Sequence, residues 1–485
     1  MLISIKETHL SRCAGALVIW FVAYLSTPIV SLAADLDAGN LTFTLTESIQ
    51  HARRHNLKIK TLIDKLALTK KLLRSARPVG LPQVSLNSNY TYAKDLPKSI
   101  IDFGENSPFA QMRGTDFPPG QTPLPTREDN DESNITELEF GAHHTFQGGL
   151  SLVQPLFAWG RYYYSYQSAK LAVAAGKSEL DTAYNQLGLD VANAFYRLLL
   201  SMEFVKVAKQ TVNLAKQQLK TSDNLLKSGV STNFDVIRAQ VQVANAQSTY
   251  IRSKNGVKLA KNSFKNMLNL DLATDIEISG QFRRQPVEPT LDELIDLALN
   301  HRPDLQQLDL LKKSAQKRVQ VTQANARPNL SFLANYRIDD NEKLVEMNKI
   351  WNVGLSLNFP IFDGLVTYYR VQEAKSGVNQ LALQHSQLQD GIEQEVRAAY
   401  LQILEAQTLT EVQKETVDQA KEGVRLANLQ YKNGLITSVQ LTDAQLALTQ
   451  AEVNRLQAQH DYSIALARLE KAIGQPLSSL EQKSE

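Results

Sequence analysis

The sequence Gly-Leu-Ser-Leu-Val-Gln-Pro-Leu-Phe at residues 149–157 returns almost unchanged at residues 354–362 as Gly-Leu-Ser-Leu-Asn-Phe-Pro-Ile-Phe. The same spacing of 205 residues relates Gly229 to Gly434 further along the chain. Self-similarity over such a distance is the mark of an internal repeat, so we expect two units of one architecture that follow each other.

A second spacing extends the repeat upstream. Leu-Thr-Glu-Ser-Ile at 45–49 resembles Leu-Asp-Glu-Leu-Ile at 291–295, which is a spacing of 246 residues. The two spacings differ by 41 residues, so the first copy carries an insertion of that size. We therefore assign the first structural repeat to residues 34–288 and the second to residues 289–485.

Each repeat contains two segments with the alternation of a β-strand. Residues 83–93 alternate apolar and aromatic side chains with uncharged polar ones, and the second copy does the same within a hairpin predicted over 328–360. Pro155 and Pro360 should end the returning strands because proline donates no hydrogen bond. Runs of about 10 residues suit tilted membrane strands, although a soluble hairpin packed on a core has the same pattern.

Long helices with heptad periodicity follow each hairpin. Apolar and small residues recur with 4-3 spacing, which is typical of a coiled coil. Glycine turns separate each long helix from a shorter return helix, and a further helix precedes each hairpin. The predicted long helices are 161–227 and 365–432, the return helices 232–270 and 437–473, and the upstream helices 45–76 and 292–326.

Lengths show how these pieces combine. The first long helix should span about 100 Å, and its return and upstream helices together about the same, so the two shorter helices should stack end to end along the long one. Only four strands are available per chain, whereas barrels close at eight or more. A closed barrel would therefore require several copies of the chain.

Composition excludes other classes of protein. With 52 Lys and Arg against 50 Asp and Glu, the net charge of +2 gives no basic surface for nucleic acid. Mean hydropathy of −0.27 is too polar for a bundle of membrane helices, and Cys13 is the single cysteine. Residues 1–33 have the basic start, short apolar core and small-residue end of a cleavable signal peptide, with a membrane anchor as the alternative.

This organisation resembles the TolC-like outer-membrane efflux proteins over essentially the whole mature chain. The resemblance is carried by the order of paired motifs, namely the strand entries at 81–85 and 327–331, the strand exits at 154–157 and 359–364, and the glycine turns. It implies an α+β membrane protein: a homotrimer sharing one 12-stranded outer-membrane β-barrel, four strands per protomer, continued by a periplasmic α-helical coiled-coil barrel.

The resemblance also assigns roles to residues. The glycine turns would form the periplasmic tip that docks a periplasmic adaptor protein: Gly229, Val230, Ser231, Thr232, Gly434, Leu435, Ile436 and Thr437. In the family, residues matching Asp235 and Tyr431 help to hold the tip closed, and an arginine is expected where Ile436 stands.

A carboxylate facing the channel lumen is implied at Asp443, with Gln440 where a second acid is often found. Threefold symmetry would make Asp443 a ring of three charges that favours cations. Arg238 occupies the position of Asp443 in the first repeat, so an ion pair between the two is the plainer alternative.

The function implied is the outer-membrane exit duct of a tripartite export system. It would pass drugs, toxic compounds or metal ions from an inner-membrane pump of the RND, ABC or MFS type, with no cofactor. Type I protein secretion is the first alternative, and a structural periplasmic coiled-coil tether is the second. The inserted loop at about 94–144 should lie outside the cell and be disordered, or else form a lid.

Apparent catalytic motifs do not fit their required contexts. Gly176-Lys177-Ser178 lies inside a long predicted helix and lacks the first glycine of a phosphate-binding loop. His51 and His55 have the spacing of zinc ligands, but no third ligand accompanies them. We expect no catalytic residue, no metal site and no enzyme activity.

Overall fold

The computed structural model describes residues 41–76, 80–102, 135–139, 143–283, 289–341 and 348–477, so the predicted signal peptide at 1–33 lies outside the described residues. The first repeat consists, in order, of β1 (Leu41–Phe43), α1 (Leu45–His55), α2 (Leu57–Ala76), β2 (Gln83–Tyr92), β3 (Lys98–Asp102), β4 (Ile135–Glu139), β5 (His144–Phe157), α3 (Arg161–Lys227), α4 (Asn233–Leu268) and β6 (Ile276–Ile278). The second consists of α5 (Leu291–His301), α6 (Pro303–Ala324), β7 (Asn329–Asn341), β8 (Asn348–Asn358), α7 (Val366–Lys432) and α8 (Ser438–Ile473).

The long helices α3 and α7 are each 67 residues long, or about 100 Å, and the return helices α4 and α8 are each 36 residues long. α3 packs against α1, α2 and α4 of its own repeat, and α7 packs against α5, α6 and α8. Contacts of α3 with α6 and α8 join the two repeats. No helix in the described ranges combines the length and apolar character needed to cross a membrane.

The upstream helices, predicted as continuous, are each broken once. Asn56 and Arg302 both have extended backbone angles, with ψ of 130° and 123°. At the second break Pro303 begins α6, and proline disfavours a helical conformation in the residue before it. At the first break the Asn56 side chain accepts a hydrogen bond from the Lys58 amide at 3.0 Å, which starts α2 as a separate helix.

The four longer strands form one antiparallel sheet in the order β2-β5-β7-β8. Ser85 pairs with Ser151 in the first repeat, and Ser331 pairs with Ser356 in the second, so both hairpins keep the same register. The repeats meet where β5 pairs with β7. In the described chain β2 and β8 each have a partner on one side alone, which leaves two free strand edges.

Two predictions about this region are wrong. Pro155 does not end β5, which continues to Phe157 through a register shift, because a bulge tolerates a residue that donates no ladder hydrogen bond. The loop at 94–144 is not wholly irregular, since β3 and β4 pair antiparallel from Lys98–Glu139 to Asp102–Ile135. Residues 103–134 and 140–142 lie outside the described residues.

β1 and β6 form a short parallel pairing of three residues each, which was not predicted from the sequence. It covers an apolar core that includes Phe43, Phe195, Phe264 and Ile276, of which the last three are at most 1% exposed. Strands of three residues are too short to show a period, so this element had no detectable sequence signal.

A cluster of charged residues fastens the second repeat where α5 and α6 meet. The Arg302 side chain is 7% exposed, contacts Asp304 at 2.6 Å and also forms an ion pair with Glu395 on α7. Lys471 on α8 reaches Glu395 at 2.6 Å. Three helices are thus joined through one buried guanidinium.

Replacing Arg302 by Ala should lower the free energy of unfolding by about 3 kcal/mol, because it leaves the carboxylates of Asp304 and Glu395 without their arginine partner in a partly buried site. Thermal unfolding of the purified protein measures this change. Arg397→Ala is the matched control. Arg397 pairs with Glu393, one turn away on α7, and both side chains are about half exposed, so this ion pair contributes little. Equal effects of the two substitutions would contradict the role given to Arg302.

Candidate functional site

Each long helix ends in a glycine turn that leads directly into the return helix. α3 ends at Lys227 and α7 at Lys432, and the turn residues Gly229 and Gly434 have φ of +74° and +70°. Residues with a Cβ rarely adopt this conformation, which accounts for glycine at both positions. The chain reverses direction within a few residues at the same end of both coils.

Hydroxyl side chains begin both return helices. Thr232 Oγ1 accepts a hydrogen bond from the Asp235 amide, and Asp235 Oδ2 accepts one from the Thr232 amide, both at 3.2 Å. Thr437 and Gln440 make the same reciprocal pair at 3.3 and 2.9 Å. These capping boxes satisfy N–H groups that the helix start leaves free, so both turns have a defined conformation.

Two hydrogen bonds between side chains join the first turn to the second. Ser438 Oγ donates to Asp235 Oδ1 at 2.7 Å, and the hydroxyls of Ser222 and Tyr431 lie 2.9 Å apart. Ser222 is fully buried and Tyr431 is 5% exposed. Leaving a buried hydroxyl unpaired costs about 1–3 kcal/mol, so this pair fixes how the end of α3 meets the end of α7. We call the two turns together with these contacts the tip.

Apolar side chains fill the space beside these hydrogen bonds. Tyr431 packs with the buried Ala427 and Leu441, and Leu225 and Ile436 pack against them. Ile436 stands where the resemblance implied an arginine. An apolar contact therefore occupies the position at which a charged network was expected.

Asp235 is held as a carboxylate by the hydroxyls around it. The hydrogen bond from Ser438 is the largest cause that lowers its pKa, followed by that from Thr232 Oγ1 at 2.7 Å. Ser231 adds a longer bond at 3.2 Å. The acceptor therefore stays ionised at neutral pH, and hydrogen bonds to a charged acceptor are stronger than neutral ones.

The other predicted residues of this region are not brought together. The Arg238 guanidinium lies over the Phe234 ring at 5.0 Å, and Asp443 is exposed. No ion pair joins Arg238 to Asp443 within the described chain, and Gln440 is occupied in capping α8. The lumenal ring of Asp443 stays a prediction, because it depends on neighbouring copies.

Large apolar side chains are exposed at the tip. Val230, Phe234 and Leu435 have 63%, 64% and 73% of their surface exposed. Apolar groups that gather on one exposed surface typically mark a site of protein interaction. The tip therefore exposes large apolar side chains in both of its turns and the start of α4, beside the hydrogen bonds that join the turns.

Several residues that hold the tip together were not identified from the sequence. They are Ser222, Ser438 and the pair Gln218 and Thr442, whose side chains bond at 3.1 Å. A signal existed for Ser222, since it is a polar residue at a seam position of the heptad pattern. Ser438 gave none, because its partner lies 203 residues away.

The motifs that suggested catalysis have structural explanations. Gly176, Lys177 and Ser178 lie within α3. His51 and His55 stack at 4.2 Å, and His51 also contacts the Phe43 ring. Among the described residues no group of three or more His, Cys, Asp or Glu is placed to hold a metal ion.

Comparisons with known proteins agree with this architecture. The model of the family described as outer membrane efflux protein matches residues 125–270 and 294–475. The alkaline protease secretion protein AprF of Pseudomonas aeruginosa is 24% identical over 67% of this chain and 69% of its own. The toluene efflux pump outer membrane protein TtgC of Pseudomonas putida is 22% identical over 54% and 55%. The Campylobacter jejuni CmeC outer membrane channel superimposes with a TM-score of 0.71 at 16% identity, covering 90% of this chain and 88% of that one.

Removing both hydroxyl links with Tyr431→Phe and Ser438→Ala should loosen the tip. Each hydrogen bond contributes about 1 kcal/mol, so amide hydrogen exchange in the two turns should accelerate at least about tenfold. Thr416→Ala is the control, because its hydroxyl bonds to a carbonyl of its own helix, that of Val412. Unchanged protection of the turns in the double variant would show that the contacts do not hold them.

Proposed function

Because this chain belongs to the outer membrane efflux protein family, we propose that three copies of it form an exit duct for small molecules such as drugs, toxic compounds or metal ions. Four strands from each copy would complete a 12-stranded barrel, and the coils would continue it as a tunnel in the periplasm. The observation that carries this proposal is the four-stranded sheet with two free edges. A sheet cannot cross a bilayer with open edges, because unpaired backbone groups in hydrocarbon are too costly.

The internal repeat predicts how the residues of β8 would pair with those of β2 in a neighbouring copy. In the chain, Ser151 of β5 lies opposite Asn335 of β7. Moving each residue to its equivalent in the other repeat places Ser356 of β8 opposite Asn89 of β2 in a neighbouring copy. Residues 83–92 of β2 and 349–358 of β8 are all exposed in the single chain, as strands at the edges of an open sheet would be.

A periplasmic adaptor is the partner that we propose for the tip. The exposed Val230, Phe234 and Leu435 would give apolar contacts to the helical hairpin of such a protein. The adaptor in turn would connect to an inner-membrane pump of the RND, ABC or MFS type. No enzymatic step is included, since transport through a duct requires a passage and not a catalytic group.

Protein secretion is the second candidate, and the match to AprF is the observation that favours it. The same duct could carry an unfolded polypeptide supplied by an ABC exporter. A periplasmic tether with no passage is the weakest alternative, because it leaves the four-stranded sheet without a use.

Cysteine crosslinking at the tip distinguishes these functions. Ser231→Cys and Thr437→Cys, in a Cys13→Ser background, should capture an adaptor in living cells. Thr416→Cys, on an exposed part of α7 about 24 Å before its end at the tip, should not. An adaptor encoded with a proton-driven pump supports small-molecule efflux, and one encoded with an ABC exporter supports secretion. Capture of neither by a fully labelled tip would contradict the duct.

Asp443→Ala tests the proposed ring of carboxylates. Loss of the three charges of the ring should lower the ratio of cation to anion permeability at least about fivefold, the factor that corresponds to ~1 kcal/mol for a single charge at close range in water. Single-channel recordings of the purified trimer measure the ratio, and Asp443→Glu should preserve it. If Asp443→Ala keeps the selectivity of the original chain, the residue does not line the passage.

A further inference from the structure

The helix ends nearest the sheet form a strongly basic surface. We call this surface the junction collar. In the first repeat it extends from the strands to the level of the ion pair between Lys65 and Glu179, and in the second repeat it comprises the equivalent residues. Its segments are 66–76, 158–178, 312–327 and 361–383, and they hold thirteen Lys and Arg but two acidic residues. Asp309, just outside the third segment, pairs with Lys312 and Lys313, which leaves the other cations in excess. The whole chain has nearly equal numbers of basic and acidic residues, so its positive charge is concentrated beside the barrel strands.

Aromatic side chains accompany these cations. Arg327 lies over the Trp159 ring at 5.1 Å, and Lys317 lies over the Tyr164 ring at 5.7 Å. Trp159 and Tyr163 are 42% and 60% exposed. Aromatic residues gather at the boundary between hydrocarbon and headgroups in membrane barrels, so we expect the collar at that level of the bilayer.

An open groove of about 710 Å³ lies in the collar between α6 and α7. Arg318 and Arg370 line it, and Glu373 contributes one carboxylate. Within the described chain neither guanidinium forms an ion pair. The groove is otherwise lined by small and polar side chains, including those of Thr322, Asn325 and Ser376.

We propose that the junction collar binds anionic phospholipid headgroups of the periplasm-facing leaflet, and that the groove holds one such headgroup. Arginine side chains are suited to phosphate groups because each guanidinium can donate two parallel hydrogen bonds to phosphate oxygens, and Arg318 and Arg370 both line this groove. Arg370 is four residues into α7, or about 6 Å along the helix, so its charge lies near the end of α7 that follows the sheet. This inference goes beyond the duct and rests on the outer-membrane location of the strands, whatever the cargo.

A phospholipid fits this surface better than a cell-wall polysaccharide does, because exposed apolar residues precede Arg370 closely in the chain. Phe359 and Phe362 are 53% and 79% exposed between β8 and α7. A lipid molecule can place its acyl chains against such residues while its phosphate reaches the guanidiniums. A polysaccharide chain would use the charges alone.

Native mass spectrometry of lipid-bound trimer tests the proposal. The full chain is reconstituted in nanodiscs made of phosphatidylethanolamine with about 30% phosphatidylglycerol. The trimer is then released into detergent, and the lipids that stay bound to it are identified. Phosphatidylglycerol should be enriched over its share in the disc. Arg318→Gln with Arg370→Gln should reduce that enrichment by about fivefold or more, since a single basic residue near an anionic surface contributes roughly that factor.

Lys216→Gln with Lys220→Gln on α3 removes the same charge far from the strands and should leave the retained lipid unchanged. A heat-resistant trimer on gels confirms that each variant is assembled. The proposal is overturned if the chain retains no excess of phosphatidylglycerol, or if both double variants lose it equally. Two further results would overturn the proposal. If the groove variant keeps its lipid but no longer sediments with purified cell-wall sacculi, the groove binds the cell wall. If inorganic phosphate alone displaces the lipid, the groove binds free phosphate.

Discussion

The free edges of the four-stranded sheet are the constraint on which the rest of the structure depends. Every backbone N–H and C=O that enters hydrocarbon must be paired, and within the described ranges β2 and β8 lack a second strand partner. The pairing between copies that we propose would meet this requirement without adding strands to the chain. The helices are tied to the same constraint, because each of the four strands of this sheet is joined along the chain to one of the helices of the coils.

The tip adds a second level of pairing inside each copy. Ser438 with Asp235, and Ser222 with Tyr431, tie the two repeats together at the end farthest from the sheet. The buried cluster around Arg302 joins the coils between these ends. Each protomer is therefore fastened along its length, and changes at the tip can occur without loss of the coils above it.

Much of the fold could be predicted because its signals lie in short stretches of sequence and occur in both repeats. Gly229 and Gly434 give the ends of α3 and α7, and Thr232 and Thr437 give the starts of the return helices, as the structure has them. What could not be predicted depends on distant partners or on single exceptions. Examples are the pairing of β1 with β6, the bulge that lets β5 continue past Pro155, and the hydroxyl contact of Ser438, none of which has a periodic signal.

Disulfide formation between copies tests most directly whether the sheet closes through its edges. In a Cys13→Ser background, Asn89→Cys with Ser356→Cys should give covalent trimers on denaturing gels, since the repeat places these residues opposite each other across the contact. Asn89→Cys with Asn352→Cys, four residues out of register, should remain monomeric. Monomers from both pairs, or equal crosslinking by both, would contradict a barrel closed by pairing of β8 with β2.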